Sequence, residues 1–201
     1  MSKLKSFRVI KPEIRVLGID DGKFIPHTKG SVLLVGVVFR GGYSIEGVMH
    51  TKVAIDGLDS TEKLASMING SPHRRQLRLV MLNGVTFGGF NVVDLKKLNL
   101  ETRLPIIALT QNKPDLDDIT SALKNLPEYE ERLRLVLEAG PIHEVANHGT
   151  IVYVELAGIS LIDAEKIIKL TSTRSCVPEP LRVAHLIASG ITSDFGEIEK
   201  V

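Results

Sequence analysis

"VLGIDDG" (residues 16–22) closes an apolar run with two adjacent aspartates and a glycine. Neighbouring carboxylates repel unless a cation or water takes up the charge. The stretch therefore reads either as a metal site at a strand end or as a solvated turn. Successive side chains of an extended chain leave opposite faces, so Asp20 and Asp21 point apart and only one serves as a primary ligand. Asp20, which ends the strand, is the better candidate. The longer stretch "IRVLGID" (14–20) carries apolar residues on both faces, the pattern of a central strand covered on both sides.

Outward from this strand, "SVLLVGVVF" (31–39) is a second continuous apolar run, and Arg40-Gly41-Gly42 makes a tight hairpin connection. "YSIEGVMHTKVAI" (43–55) begins by alternating, as a half-exposed edge strand does. The opening is thus an antiparallel three-strand meander. Helical and strand patterns then mix: helices at 59–69, 115–123, 127–140 and 161–171, and strands at 76–82, 104–110 and 150–156. Pro180 opens a last helix that ends at Gly190. This succession predicts an α/β fold, a mixed sheet with helices on both faces. In the ribonuclease H-like architecture such a sheet has the order 3-2-1-4-5, with strand one central and an acidic cluster at its end, where Asp20 and Asp21 fall.

Bulk properties narrow the class. A length of 201 residues suits one domain spanning 1–201, and 43% hydrophobic residues are enough for a core. The net charge of +1 gives no global basic field to attract nucleic acid, although a local groove can still be basic. The single cysteine, Cys176, excludes an internal disulfide and suits a reducing compartment. The N-terminal "MSKLKSFRVI" lacks the apolar core of a secretory signal, and the longest apolar run, "VLLVGVVF" (32–39), is too short to span a membrane. The expectation is a cytoplasmic protein with no membrane segment.

A phosphodiester hydrolase brings carboxylates from separate elements onto magnesium-like ions. Beside Asp20 and Asp21, the segment "AIDGLDSTE" (54–62) offers Asp59 and Glu62 at a helix start, where the same pair reads equally as a capping box. The end of "RLVML" carries Asn83 where another carboxylate is expected; an amide oxygen can touch a metal but brings no charge. In "NGVTFGGFNVVD" (83–94), Gly88 and Gly89 admit a backbone or a flat base close to the chain, and Phe90 is available for stacking, or simply for the core. In the last helix Arg182, His185 and Ser189 share a stripe opposite Val183, Leu186 and Ile187. Facing a pocket, Arg182 would grip phosphate and His185 would move a proton. The competing reading pairs Arg182 with Glu179 as a structural contact.

Four stretches in order, "VLGIDDG", "KVAIDGLDSTE", "VMLNGVTFGGFNVVD" and "VPEPLRVAHLIASG", closely resemble an uncharacterised, mainly archaeal protein family distantly related to endonuclease V. The resemblance covers nearly the whole chain. It implies that Asp20 matches the strand-one aspartate of endonuclease V and that Asp59 or Glu62 matches its glutamate. Asn83-Gly84 then falls on its strand-four Asp-Gly. Pro178, Glu179, Pro180, Arg182 and Ala184 match its C-terminal signature. Endonuclease V cuts DNA or RNA near inosine with magnesium, so the resemblance implies a DNA or RNA partner and Mg2+ or Mn2+. Two departures stand out: Asn83 replaces an aspartate, and "GVTFGGFN" replaces a histidine-proline-arginine stretch. The leading expectation is a metal-dependent nuclease. Its rival is a nucleic-acid-binding or scaffold protein of the same fold without catalysis. A nucleotide phosphotransferase, to which "GIDDG" also points, needs two such subdomains, and this chain is too short for them.

Overall fold

The computed structural model describes residue 7 and residues 9–193; most of the basic N-terminal segment lies outside the described residues. The opening meander forms as the apolar pattern requires. β1 (Arg15–Asp21) pairs antiparallel with β2 (Ser31–Arg40), and β2 pairs antiparallel with β3 (Ser44–Ala54), which lies at the sheet edge. α1 (Ser60–Gly70) follows, then β4 (Leu79–Asn83), parallel to β1 on its other side. A two-strand hairpin, β5 (Thr86–Phe87) and β6 (Asn91–Val92), occupies the glycine-rich stretch and leads into α2 (Leu95–Thr102). β7 (Ile106–Thr110) is parallel to β4 and precedes α3 (Leu116–Leu123) and α4 (Tyr129–Glu138). β8 (His143–Asn147) and β9 (Thr150–Ala157) add antiparallel strands, and α5 (Leu161–Thr171) and α6 (Glu179–Ser193) complete the chain.

The sheet order is β3-β2-β1-β4-β7-β9-β8. Its first five strands reproduce the expected 3-2-1-4-5 order of the ribonuclease H-like architecture, with β1 inside the sheet. β8 and β9 extend it by a hairpin, of which only β9 is expected from sequence. Helices cover both faces. Leu17, Ile19 and Leu34 pack with Leu64 and Ile68 of α1 and Leu95 and Leu98 of α2. On the other face Val16, Leu79 and Met81 pack with Ile167 and Ile168 of α5 and Leu181 of α6. Among the described residues no helix is long and apolar enough to cross a membrane.

Gly18 sets how closely α6 can approach. A Cβ there would lie 2.3 Å from the Pro180 carbonyl carbon and 2.6 Å from the Leu181 nitrogen, so any side chain would push the helix off β1. Ala184 and Ala188 continue the contact beside Val35 and Val37 of β2. Leu186, expected on the packed side, is 55% exposed instead, because the small alanines make the closest approach. α6 also runs past Gly190 to Ser193. In α4 Leu137 is exposed, and the buried face of that helix is Arg132, Leu135 and Val136. The Arg132 guanidinium donates to the carbonyls of Asp56, Gly57, Phe90 and Pro127, which ties the α1 approach loop to the β5–β6 hairpin.

Candidate active site

The alternation of β1 sends Asp20 to the α6 face and Asp21 to the α1 face, as an extended chain requires. Asp20 is 2% exposed. Its Oδ1 accepts from Asn83 Nδ2 at 3.0 Å and from the Asp21 amide at 2.9 Å, and its Oδ2 lies 2.8 Å from His185 Nδ1. β1, β4 and α6 therefore each deliver one polar group to a single point. Burial pushes the Asp20 carboxyl above the usual range, while hydrogen bonds from Asn83, the Asp21 amide and His185 pull it back. Asp21 accepts from the Gly88 amide at 2.7 Å through Oδ2 and is pushed up to about 6, chiefly by burial.

Beside this cluster lies a cleft of about 170 Å³ lined by Asn83, Arg182, His185, Gln111, Ser175 and Leu181. The His185 side chain is 60% exposed, so the imidazole bridges the buried carboxylate and the open cleft. An ionised carboxylate only accepts, which assigns the Nδ1 proton to His185; in the neutral imidazole Nε2 then keeps a lone pair. Arg182 lines the cleft and also donates to Glu179 Oε2 at 2.9 and 2.6 Å; the structural pairing and the cleft position coexist. Gln111 and Ser175 were not singled out from sequence, because both lie in loops with no pattern of their own.

The other candidates are not among Asp20's hydrogen-bond partners. Asp59 Oδ1 accepts from the Ala54 amide at 3.1 Å and from Asn91 Nδ2 at 2.7 Å, linking β3 to the hairpin. It precedes α1 but makes no side-chain cap, so the capping box does not form: the carboxylate is already committed to Ala54 and Asn91. Glu62 is exposed in the first turn of α1. Gly88 and Gly89 both have positive φ. A Cβ at Gly88 would meet Val32 Cγ1 at 2.6 Å, and one at Gly89 would meet Asp56 Oδ1 at 2.2 Å. The space beside these glycines is thus filled by the protein's own atoms. Among the described residues no group of three or more His, Cys, Asp or Glu side chains is arranged to hold a metal. The Asp20 cluster itself offers one buried carboxylate with an amide and an imidazole beside it. That donor set does not make an all-protein cage. It does suit a magnesium-like ion that keeps several waters and shares one carboxylate with substrate phosphate.

A second, larger cavity of about 430 Å³ opens on the other side of Asn83. Gly84, Phe90, Leu116, Ile119 and Val136 give it an apolar wall, and Glu155 of β9 lines it. Glu155 is 5% exposed and its Oε2 has no hydrogen-bond partner. Burial pushes this carboxyl up to about 7.

Comparison with known proteins agrees with this architecture. The chain is 51% identical over 187 residues to a UPF0215 protein of Methanopyrus kandleri, covering 92% of this chain and 94% of that one. The crystal structure of a protein of unknown function from Archaeoglobus fulgidus superposes with a TM-score of 0.81 at 40% identity, over 89% of this chain and 98% of the other. Endonuclease V of Ciona intestinalis, solved with a 24mer DNA containing an inosine followed by a ribo-adenosine, shares the fold. Its TM-score is 0.56 at 15% identity, over 93% of this chain and 87% of that one. The family described as Endonuclease dU matches residues 12–192. The chain belongs to the Endonuclease dU family, whose fold is that of endonuclease V.

Proposed function

We propose that the protein is an endonuclease that hydrolyses a phosphodiester bond in DNA at deoxyuridine, with the Asp20 cluster as its reaction centre. The observation that carries the reading is the convergence of Asp20, Asn83 and His185 from three elements at the wall of a cleft that also presents Arg182. The family description supplies the deoxyuridine. The chain's own groups divide the work. Arg182 holds a phosphate oxygen, and its guanidinium offsets the charge that builds on phosphorus. Asp20 fixes the tautomer of His185, whose Nε2 takes a proton from the attacking water as the water oxygen bonds to phosphorus. The P–O ester bond breaks, and the leaving oxygen takes up a proton from solvent. Asp20, with the Asn83 amide oxygen once that side chain turns, is the set that would hold Mg2+ or Mn2+. When bound, such an ion polarises the phosphate and steadies the leaving oxygen. The base enters the larger cavity beyond Asn83, whose volume lies within the range of small-ligand pockets.

Cleavage of a labelled duplex carrying one deoxyuridine, against the same duplex with thymidine, tests this in magnesium or manganese. The expectation is cleavage of the first duplex alone, and a loss of about 10²- to 10⁴-fold in His185→Gln, the range of a general acid–base group. Equal rates for wild type and His185→Gln would contradict the assignment. A second reading, binding without hydrolysis, draws on Asn83 standing where the related enzymes' signature has a carboxylate, which leaves Asp20 as the one acidic group of the cluster. Tight binding of the deoxyuridine duplex with no cleavage in either metal would select it.

A further inference from the structure

Burying a carboxyl oxygen without a partner costs free energy, so Glu155 requires an explanation that packing does not supply. Its residue is 5% exposed, its Oε2 is unpartnered, and it lines the apolar cavity. β9 pairs with β7 so that Glu155 lies opposite Ala108, on the sheet face covered by α2 and the hairpin side of the molecule. A hydrophobic residue at this position would fill the wall at no desolvation cost. Asn83 lines both this cavity and the cleft beside Asp20, so a nucleotide could place its base in one and its phosphate in the other.

We infer that Glu155 is the group that recognises the base: its Oε2 donates a hydrogen bond to a ring carbonyl oxygen of a pyrimidine seated in the cavity. This rests on the function proposed above. Burial singles out the atom: Oε2 is the carboxyl oxygen with no hydrogen-bond partner, in a residue that lines the cavity. With the carboxyl pushed up to about 7 by burial, Oε2 carries a proton under mildly acidic to neutral conditions and is a donor. Uracil offers a carbonyl oxygen at C4, whereas cytosine offers an amine there, which sets donor against donor while Glu155 keeps its proton. Phe90, on the same wall, supplies an apolar flank for the ring without reading its edge.

The test is fluorescence anisotropy at pH 6 on duplexes whose labelled strands are identical but for one central deoxyuridine, deoxycytidine or abasic site, in calcium to suppress cleavage. Wild type is expected to bind the deoxyuridine duplex on the order of tenfold more tightly than the other two, the size of one buried hydrogen bond gained or left unmade. Glu155→Gln keeps a donor and an acceptor in the same shape and retains the preference. Glu155→Leu removes the donor and loses the preference while its affinity for the abasic duplex is unchanged. A preference that survives in Glu155→Leu, or wild type binding deoxyuridine and deoxycytidine equally well, overturns the role of Glu155 and leaves the nuclease reading standing. Failure of wild type to bind any of the duplexes overturns both.

Discussion

The two cavities that meet at Asn83 differ in every respect that matters for chemistry. The smaller one is the more polar: Arg182, His185, Gln111 and Ser175 line it beside Val177 and Leu181, and Asp20 stands behind His185. The larger one is apolar, with one buried carboxyl. The first is assembled by the close packing of α6 on β1, the second by α3, α4, the hairpin and β9. A site that moves protons needs charge near water, and a site that sorts flat rings needs a dry wall with one oriented polar group. The division of labour between reaction and recognition follows from that difference.

The comparison breaks most completely at Gly18. Alanine there would put a methyl carbon within about 2.6 Å of three backbone atoms of α6, so Gly18→Ala should cost about 3 kcal/mol or more and displace His185 and Arg182 from the cleft. Because α6 does not line the larger cavity, the deoxyuridine preference should outlast cleavage in whatever fraction stays folded. Chemical denaturation with parallel cleavage and anisotropy measurements would check this, and wild-type stability and activity would contradict the packing account.

Acidity sharpens the second cavity. The folded pKa of Glu155 is about 7 against an ordinary 4.5, so the folded state binds the proton more tightly than the unfolded chain. Its contribution to stability is complete below about pH 4.5 and is lost as pH rises through 7, on the order of 2–4 kcal/mol in all. Glu155→Gln should remove that loss, so its thermal midpoint should exceed that of wild type at pH 8 and converge with it near pH 5. Parallel pH profiles for the two proteins would refute the buried, proton-binding carboxyl.

In the first cavity, Arg182→Ala strands Glu179, which is 3% exposed with Oε1 already unpartnered. The cost should be about 1–3 kcal/mol, more than an exposed ion pair would give. If Arg182 also grips phosphate, oligonucleotide affinity falls for every sequence alike; a lowered midpoint with unchanged affinity would confine Arg182 to its pairing with Glu179. Asn83→Asp is the smallest change and acts at the shared wall. It places two carboxylates about 3 Å apart, lowering stability without metal and tightening manganese binding, which calorimetry measures. Equal, negligible heats for both proteins would speak against a cation site.

How much of this was legible in the sequence follows the same divide. "VLGIDDG" placed Asp20 at the end of an inner strand because burial on both faces leaves a continuous apolar run, and a carboxylate can end such a run only at its rim. Arg182 and His185 were readable because helical spacing puts them on one stripe. The larger cavity was not legible. Its wall comes from six segments spread between Asn83 and Glu155, and no local period links them. Glu155 sits in "TIVYVEL" where a strand alternation predicts a solvent face, and only the helices over the sheet make that face a buried one. β8 was missed because "HEVAN" buries only Val145 and Asn147, too few for a periodic signal. The fully buried Arg132 is legible only as an i,i+4 pair with Glu128, since the four carbonyls it also serves leave no pattern in the sequence.

The central claim is that Asp20 organises the reaction and is not there for stability. Asp20→Asn keeps the shape while removing a charge that burial disfavours, so the thermal midpoint should hold or rise. Single-turnover cleavage of the deoxyuridine duplex in manganese, with protein in excess, is the direct measurement. The account predicts a fall of roughly 10²-fold or more in rate for Asp20→Asn, with duplex affinity in calcium reduced far less. A variant that cleaves at the wild-type rate would contradict it.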